Sequence, residues 1–195
     1  MIQTAYIKTK NISQYPRNRE QGFTLVECMT VVAIMVIVTA IATPQIMSGR
    51  PDKQLKAAAR DLYSNMQMAK TIAIRSNSDT AIIFDIANNR YGLCDEWDSS
   101  SCAGTLQYTS FTGYGYGIQY GHIPATQTAT TLPGTEFGDN VSYNPPDNIV
   151  VFNPGAAANS GYVYLNHQDA TNTYAVGTHT SGFVVLRRWE GGSWD

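Results

Sequence analysis

The residue with the most unusual chemistry in this chain is an acid placed where acids are expensive. Glu27 is the single charge in an apolar segment of about 20 residues that opens at Phe23 and runs uncharged from Cys28 to Thr43. A carboxylate inside a membrane helix costs about 2.5–3.5 kcal/mol on insertion scales, so it needs a partner or a role. No basic side chain lies near it in the run. A second feature is the pair Cys94 and Cys102, which bracket the polar stretch Asp-Glu-Trp-Asp-Ser-Ser-Ser. Such a pair reads as a local disulfide, which needs an oxidising compartment; the other reading is two unpaired thiols. A third is Arg187 and Arg188 beside Trp189. Guanidinium groups next to an aromatic ring can grip phosphate and stack on a base. The same three residues suit a strand end with solvated charges and a packed Trp, and that reading is preferred.

Catalytic chemistry finds little support. The histidines are His122, His167 and His179, and the one close His–Asp pair, His167 and Asp169, sits in what reads as a hairpin turn. There is no Gly-x-Ser-x-Gly element, Walker loop, dinucleotide fingerprint or His-Glu-x-x-His helix. Asp95, Glu96 and Asp98 crowd one loop and carry oxygen ligands of the kind Ca²⁺ takes, but they do not match an EF-hand. A solvated acidic loop is the preferred reading. No Cys/His spacing resembles a zinc site. The expectation is a chain that is not an enzyme, with no metal and no cofactor.

The elements that must position these residues follow from composition and period. Charged residues are only 14% of the chain, against roughly 25% in typical soluble domains. The first 22 residues hold Lys8, Lys10, Arg17 and Arg19 against Glu20, a net of +3, which leaves −5 on the remainder of a chain of formal charge −2. A mildly acidic body argues against bulk electrostatic binding of nucleic acid. Positive charge ahead of the apolar run places the N-terminus in the cytoplasm and the body outside. A removable secretory signal is the simpler alternative, since Ala40-Ile41-Ala42 follows the run, but the run is long and opens with a Gly-Phe junction and an acid. A lipoprotein site at Cys28 is disfavoured by Glu27 before it.

Beyond Pro44, which bends a helix without necessarily ending it, a break falls at Ser48-Gly49-Arg50-Pro51. Apolar residues then recur at Leu55, Ala59, Leu62, Met66, Ala69 and Ala73, in steps of three and four. This predicts an amphipathic helix over about 51–75, packed on a sheet, and a helix over 23–75 in all. After it the pattern turns to short strands, expected over 80–86, 90–94, 142–143 with 149–152, 161–165, 173–176 and 182–188. Asn88-Asn89 and Asn153-Pro154-Gly155 supply turns. The stretch 99–146 reads as a variable loop region with one or two strands.

Gly22-Phe23-Thr24-Leu25-Val26-Glu27, the apolar run and Pro44 together resemble the N-terminus of type IV prepilins and pseudopilins. The resemblance implies a leader, residues 1–22, removed by a prepilin peptidase that cuts between Gly22 and Phe23 and methylates Phe23. Glu27 then becomes the fifth residue of the processed chain, the family's position for its acid, and Pro44 the twenty-second, where a helix-kinking proline is frequent. The partner Glu27 lacks is then supplied by the free α-amino group of Phe23 on a neighbouring subunit, a contact that would set axial stagger in assembly.

Ile149-Val150-Val151-Phe152-Asn153-Pro154-Gly155, then Gly161-Tyr162-Val163-Tyr164-Leu165, then Gly182 through Trp189 resemble one branch of that family. It is the branch of the type II secretion minor pseudopilin H and the fimbrial minor pilin T. This implies an α+β, pilin-like fold: a long N-terminal helix, transmembrane over 23–43, and a periplasmic domain over 44–195 with a β-rich body over about 80–190. It implies a structural subunit of a secretion pseudopilus or type IV pilus in the bacterial inner membrane, acting in assembly initiation or at the tip, with other pilins as partners. Some T-type members carry a Gly-Arg-x-Arg motif associated with DNA binding; here the aligned residues are Gly182, Phe183, Val184 and Val185, so both arginines are missing. Nucleic acid held by Arg187 and Arg188 is the alternative partner.

Overall fold

The helices start and stop where local chemistry directs. In the computed structural model, which describes residues 22–48, 50–129, 138–143, 148–169 and 171–195 less the side chains of 42–48, α1 runs over Leu25–Ser48 and α2 over Arg50–Ser76. Pro51 sits in the first turn of α2, where its missing N–H costs nothing, and Asp52 there and Arg75 in the last turn complement the helix dipole. Asn77 follows at φ 53, the left-handed conformation that closes a helix and that Asn tolerates. The described residues of the expected helix over 23–75 are helical over Leu25–Ser48 and Arg50–Ser76; Gly49, within the expected break, lies outside the described residues. Pro44 lies within α1 and does not end it. Residues 1–21, on which the leader expectation falls, also lie outside the described residues.

The chain divides into two units, Met1–Pro44 and Gln45–Asp195. In the second, α2 is followed by β1 (Thr80–Asp85), β2 (Arg90–Cys94), β3 (Trp97–Asp98), β4 (Ser101–Cys102) and β5 (Leu106–Ser110). A 3-10 turn over Phe111–Tyr114 leads to β6 (Ile118–Tyr120), β7 (Ile149–Phe152), β8 (Gly161–His167), β9 (Thr173–Thr178), β10 (Val184–Glu190) and β11 (Ser193–Trp194). They form two antiparallel sheets, β5-β2-β1-β7 and β11-β10-β9-β8-β6, and a small β3–β4 hairpin. This is the α+β, pilin-like arrangement expected.

α2 supplies the centre of the core. Leu55, Ala58, Ala59, Leu62, Met66, Ala69 and Ala73 are wholly buried, the predicted stripe with Ala58 added. Leu55, Leu62 and Met66 each contribute about 1.5–3 kcal/mol by leaving water. The alanines let the sheets approach closely, and aromatic rings from the strands fill the remaining space. Phe84 stacks on Tyr143 at 5.5 Å between centroids, and Phe111 meets Tyr120 edge-on at 5.2 Å.

One acid interrupts the polar flank of α2 with a purpose. Asp61 Oδ2 accepts from Tyr91 Oη at 2.9 Å, from Tyr114 Oη at 2.5 Å and from Asn65 Nδ2 at 3.1 Å. Asn65 Nδ2 also donates to Tyr91 Oη at 2.8 Å. The carboxylate thus ties the helix to β2 and to the 3-10 turn. Burial first, and the neighbouring Asp61 carboxylate second, push the Tyr114 hydroxyl up to about 12 and the Tyr91 hydroxyl higher still. Further ties run from Lys70 Nζ to the Gly182 carbonyl at 2.9 Å and from Asn172 Nδ2 to Asp52 Oδ1 at 3.1 Å. Gly182 holds φ +67 with the Ala156 carbonyl against its Cα, so no side chain fits there.

Two strand expectations change. Ser142 and Tyr143 form no strand; Val141 makes one isolated bridge to Val163, and Tyr143 is instead buried with its hydroxyl 3.0 Å from Thr178 Oγ1. A large aromatic aimed into the core mimics strand periodicity over so short a piece. The stretch 99–146 holds β5 and β6 as well as β4, their polar residues explained by edge positions in the sheets.

The Asp61→Ala variant leaves the Tyr91 and Tyr114 hydroxyls without their acceptor and should lose about 2 kcal/mol in urea unfolding, with no change of fold by circular dichroism. Raised folded-state pKa values for Tyr91 and Tyr114 mean that their stabilisation is fully present below the unfolded tyrosine value of 10.0 and is lost as pH rises above it. Stability should therefore fall between pH 10 and 12. Tyr114→Phe should flatten that fall, as read by unfolding free energy against phenolate absorbance.

Candidate functional site

The N-terminal segment is built around Thr24 and Glu27. The Glu27 N–H donates to Thr24 Oγ1 at 3.2 Å, and the Cys28 N–H donates to the Thr24 carbonyl at 3.2 Å, the first helical bond. Thr24 is thus the cap of α1, and Glu27 lies in its first turn, where the positive end of the helix dipole favours a carboxylate. The Thr-x-x-Glu spacing of a capping box was visible in the sequence and identifies Thr24, which the motif reading passed over. Both residues lie beyond the Gly22–Phe23 junction, so a cut there would leave the cap intact.

From Phe23 to Ile41 the side chains of this segment are exposed on every side, including Leu25, Val26, Met29, Ile34, Met35 and Ile37. Thr30 and Thr39 return their hydroxyls to the helix: Thr30 Oγ1 donates to the Glu27 carbonyl at 2.8 Å, and Thr39 Oγ1 to the Met35 carbonyl at 2.8 Å. Such back-bonding removes the polar cost of a hydroxyl among apolar neighbours. Glu27 makes no ion pair among the described residues. Among the described residues no helix is long and apolar enough to cross a membrane. The described side chains of α1 stop at Ile41, before the uncharged run ends at Thr43.

Cys94 and Cys102 form a disulfide with Cα atoms 5.8 Å apart, joining the end of β2 to β4. The small loop closed this way is worth about 2.5 kcal/mol in a chain-entropy account. Of the acids between them, the Asp95 carboxylate is used structurally, and Glu96 contributes through its backbone. Asp95 Oδ1 accepts from the Thr105 N–H at 2.5 Å, and the Glu96 carbonyl accepts from the Ala103 N–H at 2.9 Å. Among the described residues no group of three His, Cys, Asp or Glu side chains could hold a metal ion. His167, in the β8–β9 hairpin, accepts from the Asp169 N–H at Nδ1, 3.0 Å away.

The structure takes apart the proposed phosphate grip. Arg187 and Arg188 are neighbours in β10, and alternation along a strand sends them to opposite faces of the sheet. Arg188 lies on the face of Val184 and Leu186, which pack in the core with α2, and pairs with Glu190 at 2.8 Å. Arg187 lies on the other face. Trp189 is buried and meets Trp194 edge-on at 5.3 Å, so no ring is free to stack on a base. Arg187 shares its face with Trp189, whose ring is buried against Trp194, and Arg188 lies on the opposite face, so the two arginines do not converge.

Comparison with known proteins agrees with this geometry. Residues 17–43 match the prokaryotic N-terminal methylation motif, which spans Gly22, Phe23 and Glu27. Residues 58–182 match type II transport protein GspH. No curated protein matches the chain. Among solved structures, the minor pseudopilin EpsH from the Type 2 Secretion System of Vibrio cholerae is similar at 12% identity and a TM-score of 0.44, over 68% of this chain and 95% of that one. The type IV minor pilin FimU of Pseudomonas aeruginosa is similar at 14% identity and a TM-score of 0.44, over 74% of this chain and 94% of that one. These are loose likenesses, and the assignment rests on the sequence match to the body, which takes in the buried face of α2 from Ala58 onward and β1 to β9. The chain belongs to the type II transport protein GspH family.

Proposed function

We propose that this chain is a minor subunit of a membrane-anchored filament, a type II secretion pseudopilus or a type IV pilus, and that it acts in filament initiation or at the tip. The observation that carries the reading is the register of two matches: a GspH body preceded by a methylation motif whose one intramembrane charge is Glu27. The family's work is structural, and the second unit is built accordingly, with its polar groups spent on tying α2 to the sheets rather than converging on a cleft.

In this reading residues 1–22 are a cytoplasmic leader removed by prepilin peptidase, and Phe23 becomes an N-methylated terminus. Residues 23–43 anchor the chain in the inner membrane, supported by apolar side chains exposed all round and by threonines bonded back to the helix. Residues 44–195 lie in the periplasm, which the Cys94–Cys102 disulfide supports because such bonds persist in oxidising compartments. Pro44 gives α1 a site at which to bend as it leaves the membrane. The cap at Thr24 bonds the Glu27 N–H and so holds the backbone of the first turn from which the Glu27 side chain projects. The Phe23 ammonium of a neighbouring subunit then meets it, and two charges that are costly apart in hydrocarbon become a neutral pair.

The Glu27→Leu variant should insert normally and fold normally yet enter filaments at no more than about a tenth of the usual level in a co-assembly assay, since it leaves a neighbour's ammonium uncompensated. Normal incorporation would dispose of the assembly role. Mass spectrometry of the processed protein should find a chain that begins at Phe23 and carries one added methyl group on its amine; a start elsewhere, or an unmodified one, refutes the processing scheme.

A further inference from the structure

The β5-β2-β1-β7 sheet has an outer face, and part of it is hollow. In β7, Val150 and Phe152 are buried in the core around α2, so alternation turns Ile149 and Val151 to the other side. There they form the half-buried apolar floor of a cavity of about 390 Å³. That is near the lower end of the range for ligand clefts and ample for one long side chain.

Its walls are fastened. On one side stands the β3–β4 hairpin, whose Trp97 lines the cavity half-buried and donates its N–H to the Asp79 carbonyl at 2.7 Å. Trp97 pairs with Cys102, which the disulfide joins to Cys94 at the end of β2. On the other side the loop between β7 and β8 is closed by Asn153. Its Oδ1 accepts from the Ala157 N–H at 3.1 Å, and its N–H donates to the Ala157 carbonyl at 3.0 Å. Asn159 plugs the edge of β7: the Val151 N–H donates to Asn159 Oδ1 at 2.7 Å, and Asn159 Nδ2 donates to the Ile149 carbonyl at 2.8 Å. A plugged edge does not accept an added strand, so a visitor here is met by side chains.

Asp79 is the group left over. It alone is charged among the residues that line the cavity, and its carboxylate has no ion pair or hydrogen bond among the described residues. Arg75, exposed in the last turn of α2, does not pair with it. Glu96 and Asp98 flank Trp97 on the hairpin, both exposed, and add negative charge. An unanswered carboxylate, an indole ring and an apolar floor in one cavity favour a cation on an aliphatic stem. An anion would meet repulsion, and a wholly apolar group would strip water from Asp79 and return nothing.

We propose that this cavity receives a lysine or arginine side chain of a partner protein. The aliphatic stem lies along Ile149 and Val151, and the charged head meets the Trp97 ring and the Asp79 carboxylate. The inference goes beyond the filament role and depends on neither Glu27 nor the N-terminal cut.

The test uses the full-length chain, labelled with ¹⁵N-tryptophan, in non-ionic detergent micelles. It reads the Trp97 indole signal, assigned by its loss in Trp97→Phe. The probe is a capped pentapeptide of glycine with a central lysine, and the control carries norleucine, which keeps the stem and lacks the charge. The lysine peptide should shift the Trp97 signal saturably, and the norleucine peptide should bind about tenfold more weakly. Asp79→Asn keeps the carbonyl that holds Trp97; it should weaken lysine binding about threefold and leave norleucine binding unchanged. The Glu27→Leu chain should bind the lysine peptide as the unmutated chain does, which separates this inference from the filament reading. Four results overturn it: no saturable shift at Trp97, equal binding of the two peptides, unchanged lysine binding by Asp79→Asn, or tighter binding of free 1,5-diaminopentane than of the lysine peptide, the mark of a small-amine site.

Discussion

Everything in the second unit depends on α2 having one face that cannot meet water. Seven residues of that face are wholly buried, four of them alanine, so the helix must lie in close contact with other backbone along its length. Two small sheets answer this better than one, because each presents an apolar face to a different part of the same helix. β1 and β2 pack on it from one sheet and β8, β9 and β10 from the other. The helix gives both sheets a common core.

The polar ties act on a different quantity. Apolar burial says that the helix must be covered but fixes its rotation only loosely. Asp61 meeting the hydroxyls of Tyr91 and Tyr114, Lys70 meeting the Gly182 carbonyl, and Asp52 meeting Asn172 are directional and far apart along the helix. Together they select one rotation and one axial position. The glycine at 182 belongs to this scheme, since its left-handed turn brings its carbonyl to the lysine and starts β10.

The two units solve opposite problems. The second hides its apolar groups and spends charges on orientation. The described part of the first leaves apolar groups exposed around the whole helix and carries a single acid, Glu27, in a first turn capped by a threonine. An exposed apolar cylinder with one fixed charge is unfavourable in isolation and becomes favourable only with lipid and neighbouring helices around it. This follows from the side chains alone and is why the assembly reading precedes any detail of the partners.

Much of this was written locally in the chain. The uncharged run, Glu27 with Thr24 three residues before it, and the α2 stripe are periodic or contiguous features, so propensity and period expose them without a fold. Most strand positions follow for the same reason, from alternation and from turns such as Asn88-Asn89. The Cys94–Cys102 pair was legible because its loop is short. What local pattern could not supply is which face of an element is covered, and by what. Arg187, Arg188 and Trp189 read as one cluster along the sequence, and only the sheet, with α2 on one side and Trp194 on the other, puts Arg188 on the opposite face from Arg187 and Trp189. Tyr143 looked like a strand residue because a buried aromatic has the same alternation as a strand. The Asp61 site joins residues 30 and 53 positions apart, and the plug of β7 by Asn159 depends on a loop folding back over an edge. These contacts exist only once the chain has closed long loops, which is the physical reason the sequence could name their residues and not their meeting.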